Sequence, residues 1–148
     1  MTLWRLILAI LALIYAGFGF VFLYNPNEMA AMVSITLASP AARTDFRAMY
    51  GGLEFGIGVF LLLCAFRREF VRIGLFAGAC CLVAMATARS VGLLLDGFDF
   101  LQLLIAFTEW LGGGVAFFGA LKAVPGHDTL PPPTADPTPD DTSLAPPV

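Results

Sequence analysis

The chain has 148 residues, 59% hydrophobic and 13% charged, with a mean hydropathy of +0.85. A water-soluble domain is nearer ~45–50% apolar and ~25% charged, so these proportions argue against one. With 8 basic against 11 acidic residues and a net charge of −3, the chain also lacks the basic face that a nucleic-acid binder needs.

In chain order, the first apolar block runs from Leu6 to Tyr24, behind Arg5. It is long enough to cross a bilayer at ~1.5 Å per residue. A cleaved signal peptide has a shorter apolar core of ~7–15 residues and then a small-x-small site. Here the block continues through bulky aromatics from Phe18 to Tyr24, so an uncleaved helix over about 3–24 is the expectation. Asn25-Pro26-Asn27 ends it, because proline disfavours helix at the residue before it. Between Glu28 and Arg43, Met29, Met32, Val33 and Ile35 recur at near-helical spacing and predict a short helix lying in the interface. Ser39-Pro40 marks a turn or a new helix start.

A second span is expected over about 45–66, a third over 71–95 and a fourth over 100–122. Arg67-Arg68-Glu69 and Asp96-Gly97-Phe98-Asp99 are the short loops between them. Loops this short force antiparallel neighbours. The predicted fold is therefore all-α: an integral membrane four-helix bundle over residues 1–124. Four of the acidic residues follow Val124, where there is no Lys or Arg. The Pro/Asp/Thr-rich stretch 125–148 is too poor in large apolar residues to offset its ordering entropy, so a disordered C-terminal tail is expected. Its prolines offer a polyproline ligand as the alternative to a plain solvated tail.

Cys64, Cys80 and Cys81 all lie within apolar stretches. An odd count with no CxxC spacing suggests neither a disulfide framework nor a metal site, and buried cysteine behaves as a small hydrophobe. Basic residues near the span ends divide unevenly. Arg5, Arg67, Arg68, Arg72 and Lys122 fall on one side, Arg43 and Arg47 on the other. The positive-inside rule then puts both termini in the cytoplasm of a cell with an inner membrane.

Five charged residues fall within or at the ends of these spans: Arg47, Glu54, Arg89, Asp96 and Glu109. A charge in hydrocarbon costs at least about 2.5–3.5 kcal/mol on insertion scales. Glu54 lies ~12 Å beyond Phe46, Arg89 ~9 Å before Leu95 and Glu109 ~12 Å after Leu101, counted along each helix. Since the helices alternate in direction, all three reach the half of the bilayer away from the termini. At α-helical spacing Arg47, Tyr50, Gly51, Glu54 and Gly58 share one stripe. Arg89, Gly92 and Asp96 share a second, and Glu109, Gly112, Gly113 and Ala116 a third. The small residues on each stripe let helices approach closely in lipid, so the charges are expected to face inward. The glycines around Gly51 and Gly112 serve that packing, or leave room for a ligand.

Arg89 stays charged and needs a carboxylate. Glu109 on the adjacent helix is the first choice and Glu54 the second. One arginine cannot compensate both, so one glutamate is expected to hold its proton, as proton-linked transport or ligand gating would use. Arg47 and Asp96 would form a mouth, and Tyr50, Trp110 and Tyr24 would line or cap the region. Glu54-Phe55 with Gly56 and Gly58 also resembles Glu109-Trp110 with Gly112 and Gly114. This is a short internal likeness on two helices of the same direction.

The motifs Arg47-x-Met49-Tyr50-Gly51-Gly52-Leu53-Glu54, then Ala88-Arg89-x-x-Gly92 with Asp96-Gly97, then Glu109 carry a resemblance over roughly Leu6 to Leu121. They resemble a bacterial family of small four-helix membrane proteins known as a domain of unknown function, similar in architecture to the DoxX-like group. The resemblance implies a four-helix membrane bundle and brings no established activity. Some DoxX-like members resemble accessory subunits of membrane redox systems, but these motifs contain no haem, quinone or metal ligand set, and no cofactor is expected.

The functional expectation is a protein embedded in the lipid bilayer that binds a small polar or amphiphilic ligand, or a membrane-protein partner, at the cluster of Arg47, Tyr50, Glu54, Arg89, Asp96 and Glu109. The alternative is a structural or accessory subunit, redox-linked in one version, whose charges only order the helices. An enzyme ranks last. There is no Ser-His or Cys-His pairing to propose as catalytic, and the only histidine is His127 in the tail.

Overall fold

The computed structural model describes residues 3–123; the tail expected at 125–148 lies outside the described residues. All regular structure among them is helical: α1 (Leu3–Tyr24), α2 (Pro26–Met32), α3 (Pro40–Phe46), α4 (Leu53–Phe66), α5 (Val71–Leu95) and α6 (Phe100–Lys122). A π-helical segment, Arg47–Gly52, joins α3 to α4 without a break. A single 3-10 turn, Arg68–Phe70, leads into α5. Four helical stretches, Leu3–Tyr24, Pro40–Phe66, Arg68–Leu95 and Phe100–Lys122, are long and apolar enough to cross a bilayer. The protein is a multi-pass membrane bundle of four spans.

The ends of these helices follow from local chemistry. Ser39 caps α3, its Oγ accepting from the Ala42 N–H at 3.1 Å, with Pro40 in the first turn. The second span therefore starts at Pro40, five residues earlier than the sequence predicts, because a cap and a first-turn proline outweigh the polar Arg43 and Thr44. Asp99 caps α6 in the same way, accepting from the Gln102 N–H at 2.8 Å. Gly97, at φ +115°, makes the tight turn before it.

The short helix predicted after Glu28 is α2, and it is shifted toward the N-terminus. It starts at Pro26 and ends at Met32. Ser34 takes a left-handed conformation (φ +59°). Its N–H bonds to the Ala31 carbonyl at 3.0 Å, and the Ile35 N–H to the Ala30 carbonyl at 2.8 Å. That pair of bonds is a Schellman stop, so Ile35 falls beyond the helix. The helix turns Ala30 onto Phe22 and Phe46, which closes the end of the bundle away from the termini, here called the distal end.

The spans assemble as two hairpins. α1 lies along α4 and α5 along α6, and the two pairs meet more sparingly. Close approach of α1 to α4 depends on missing side chains. A Cβ on Gly19 would lie 2.3 Å from the Phe55 backbone nitrogen, and one on Gly58 would lie 2.4 Å from that of Ala16. In lipid, where apolar burial gives little drive between helices, this contact area is what holds them. The hairpins join at the terminal half, where Leu8, Leu61 and Leu75 are fully buried with Ala12, Ala79, Ala116 and Ala120.

Arg5 reinforces the first hairpin. Its Nε donates to the Ala65 carbonyl at 3.0 Å and its Nη2 to the Phe66 carbonyl at 3.1 Å. These are two of the last carbonyls of α4, which have no partner within the helix and carry the negative end of its dipole. Arg5→Met is expected to cost about 1–2 kcal/mol in detergent unfolding. A loss below about 0.5 kcal/mol would mean that solvent caps α4 equally well.

Candidate functional site

Arg89 and Glu109 meet across the second hairpin as a two-pronged ion pair. Arg89 Nε donates to Glu109 Oε2 at 3.1 Å and Nη2 donates to Oε1 at 3.0 Å. The planar guanidinium matches the carboxylate edge to edge, the strongest form of such a pair. Glu109 is buried, at 7% exposure. The remaining guanidinium nitrogen, Nη1, donates to Gln102 Oε1. Arg89 is thus fixed by two residues of α6 that lie two helical turns apart. Nearby, Trp110 Nε1 donates to Ser90 Oγ at 3.3 Å, and Ser90 donates to the Ala86 carbonyl at 2.7 Å.

Beside the pair, between the two hairpins, is a cavity of about 500 Å³. It falls in the range of small-molecule sites, ~300–1,000 Å³. All four spans contribute: Leu11, Ile14, Tyr15, Phe18 and Phe22 from α1, Glu54 from α4, Leu82, Met85 and Arg89 from α5, and Ile105, Thr108, Glu109 and Gly112 from α6. Most of this lining is apolar, and the polar groups are few and convergent. The two glutamates of the short internal likeness both line it.

Glu54 differs from Glu109. It is half-buried, and among the described residues no hydrogen bond or ion pair engages its carboxylate; the ion pairs there are Arg89–Glu109 and the exposed Arg67–Glu69. The cavity therefore holds two carboxylates and one guanidinium, with one negative charge in excess when all three are ionised.

Arg89 also reaches a second, more open depression of about 530 Å³ at the distal end, with Gly92, Asp96, Gly97, Asp99 and Gln102. Asp96 lies here, exposed. Arg47 lies elsewhere. Its Nε donates to the Leu23 carbonyl at 3.1 Å, near the end of α1, and it lines neither depression. The two residues do not form a joint mouth.

Tyr50 stacks on Phe46, with ring centroids 4.6 Å apart, and packs beside Phe22 at 5.8 Å. It is part of the aromatic plug closing the distal end. Tyr24 stacks on Phe20 at 6.3 Å. Trp110 lines a shallow groove with Trp4, Gly114 and Phe118. None of these three aromatics lines the cavity.

Two polar residues of the site escape the sequence reading. Tyr15 is buried, lines the cavity and donates to Met85 Sδ at 3.6 Å. Its signal is depth: it lies roughly 13 Å before Tyr24 along α1, level with Glu54. Gln102 holds Arg89 from seven residues before Glu109. That spacing, two turns on one face, is its signal. Among the described residues no group of His, Cys, Asp and Glu is placed to hold a metal ion.

No curated protein and no solved structure matches the chain. The sequence does match one protein family over residues 3–120, most of its length, and the chain thereby belongs to the family described as a domain of unknown function, DUF4345.

Proposed function

We propose that this protein binds one small amphiphile in the cavity between its two hairpins. The polar group would sit at the level of Glu54, Tyr15 and the Arg89–Glu109 pair. The observation that carries the reading is the cavity itself: about 500 Å³, mostly apolar, reached by two carboxylates and one guanidinium within the spans. Ordering helices would need only the ion pair. It needs neither a cavity beside that pair nor a further carboxylate facing it.

The charges lie at the distal end, and the basic residues Arg5, Arg67, Arg68, Arg72 and Lys122 cluster toward the other. By the positive-inside rule this supports cytoplasmic termini in an inner membrane. The cavity would then lie in the outer half of the bilayer, facing the periplasm.

The test uses the full chain in a neutral detergent, with dodecylamine, dodecyl phosphate and dodecanol added as probes. Native mass spectrometry should find at least one of them bound one to one. Thr108→Phe and Ile14→Trp, which add bulk to lining positions, should abolish that adduct. If no probe binds, or both variants bind as well as wild type, the reading fails.

A further inference from the structure

We infer that the occupant is cationic: a lipophilic amine or ammonium whose charged head is held by Glu54 and which enters sideways from the bilayer. This rests on the amphiphile reading above and adds the charge of the ligand, the residue that binds it and its route.

Charge is the first argument. Arg89 is spent on Glu109 through two bonds and on Gln102 through a third. It has little left to offer an anionic headgroup. Glu54 faces the same cavity with no protein partner among the described residues. A carboxylate at this depth is costly unless a positive group or a proton joins it. Of the two, a cation is the one that also uses the space beside Glu54: a positive head on the carboxylate, with an apolar chain to match the rest of the lining.

The aromatic lining is the second argument. Tyr15, Phe18 and Phe22 follow one stripe of α1 and line the cavity together with Glu54. Aromatic faces attract ammonium groups, and more strongly when the cation is desolvated. An anion finds no such complement there.

The third argument is access. α1 and α6 touch at the terminal end, where Trp4 meets Phe118 edge-on at 6.0 Å. Further along, the cavity lies between them. There Ile14 and Phe18 of α1 are 50% and 55% exposed, and Thr108 of α6 is also exposed. On the side of a spanning helix, exposed means facing lipid tails. The opening thus admits a molecule already dissolved in the membrane, chain first or alongside.

The experiment measures each probe separately on the full chain. Dodecylammonium should bind at least about tenfold more tightly than dodecyl phosphate or dodecanol, the scale of one charge-assisted contact. Glu54→Gln should remove that preference while leaving thermal unfolding near wild type, and Glu54→Asp should restore part of it. Glu28→Gln, which removes an exposed carboxylate outside the cavity, should leave it intact. If the phosphate or the alcohol binds as tightly as the amine, and Thr108→Phe blocks it, the amphiphile reading stands and the cationic one is overturned. Equal amine binding by wild type and Glu54→Gln also overturns it, leaving a proton as the partner of Glu54. If none of the three binds, the amphiphile reading itself has failed.

Discussion

Glu109→Ala is expected to lower the unfolding free energy in detergent by about 3–5 kcal/mol, the cost of stranding one member of a buried ion pair. Arg89 would keep Gln102 as an acceptor but lose both bonds to the carboxylate. It cannot escape by shedding its charge, because a guanidinium stays protonated in proteins. Glu109→Gln retains one acceptor oxygen and should lose less. Removing both charges, as Arg89→Met with Glu109→Leu, should recover most of the stability, since well-packed apolar pairs often equal or exceed a buried ion pair. That double variant separates the two roles of the cluster. It should fold, and it should alter probe binding in the cavity that both residues line. If Glu109→Ala unfolds within about 1 kcal/mol of wild type, the pair contributes no more than a surface contact, and α5 and α6 are held by packing and their remaining hydrogen bonds.

Gly58→Leu should be nearly as damaging, through the other hairpin. A Cβ at this position would lie 2.4 Å from the Ala16 nitrogen and 2.7 Å from its Cα. A flexible side chain can move aside, but a helix backbone moves only as a unit, so α1 and α4 would have to separate. Overpacking commonly costs about 1–3 kcal/mol. A whole leucine against backbone belongs at or above the top of that range. Gly56→Ala, two residues away on the same helix, is the control. Its Cβ would meet nothing within 4 Å, and removing a mid-helix glycine should gain up to about 1 kcal/mol. Equal stability of the two variants would contradict the close packing of α1 on α4. Separation of these helices should also open the cavity wall, since Glu54 and the aromatic stripe of α1 lie on opposite members of this hairpin.

The residues themselves determine that there are four spans, roughly where each begins and ends, and that the charges in them reach one half of the bilayer. Hydropathy, proline, capping residues and the fixed rise of a helix are local properties, and they can be counted along a chain. The nearness of Arg89 and Glu109 follows from the same count, because they lie at matching depths on antiparallel neighbours joined by a short turn. Facing across longer distances is different. The stripe from Arg47 to Gly58 assumes unbroken α-helical spacing, but Arg47–Gly52 is π-helical, with the Leu53 N–H bonding five residues back to the Ala48 carbonyl. That change of register turns Arg47 and Tyr50 onto the end of α1 and the aromatic plug, while Glu54 faces the cavity. π segments inside helices frequently mark functional sites, and this one ends just before Glu54, the carboxylate without an ion-pair partner among the described residues. The cavity, too, belongs to the tertiary structure alone. It exists because glycines draw α1 onto α4 while the pair is joined to α5 and α6 chiefly at the terminal half, and no single segment encodes the space left between two packed pairs.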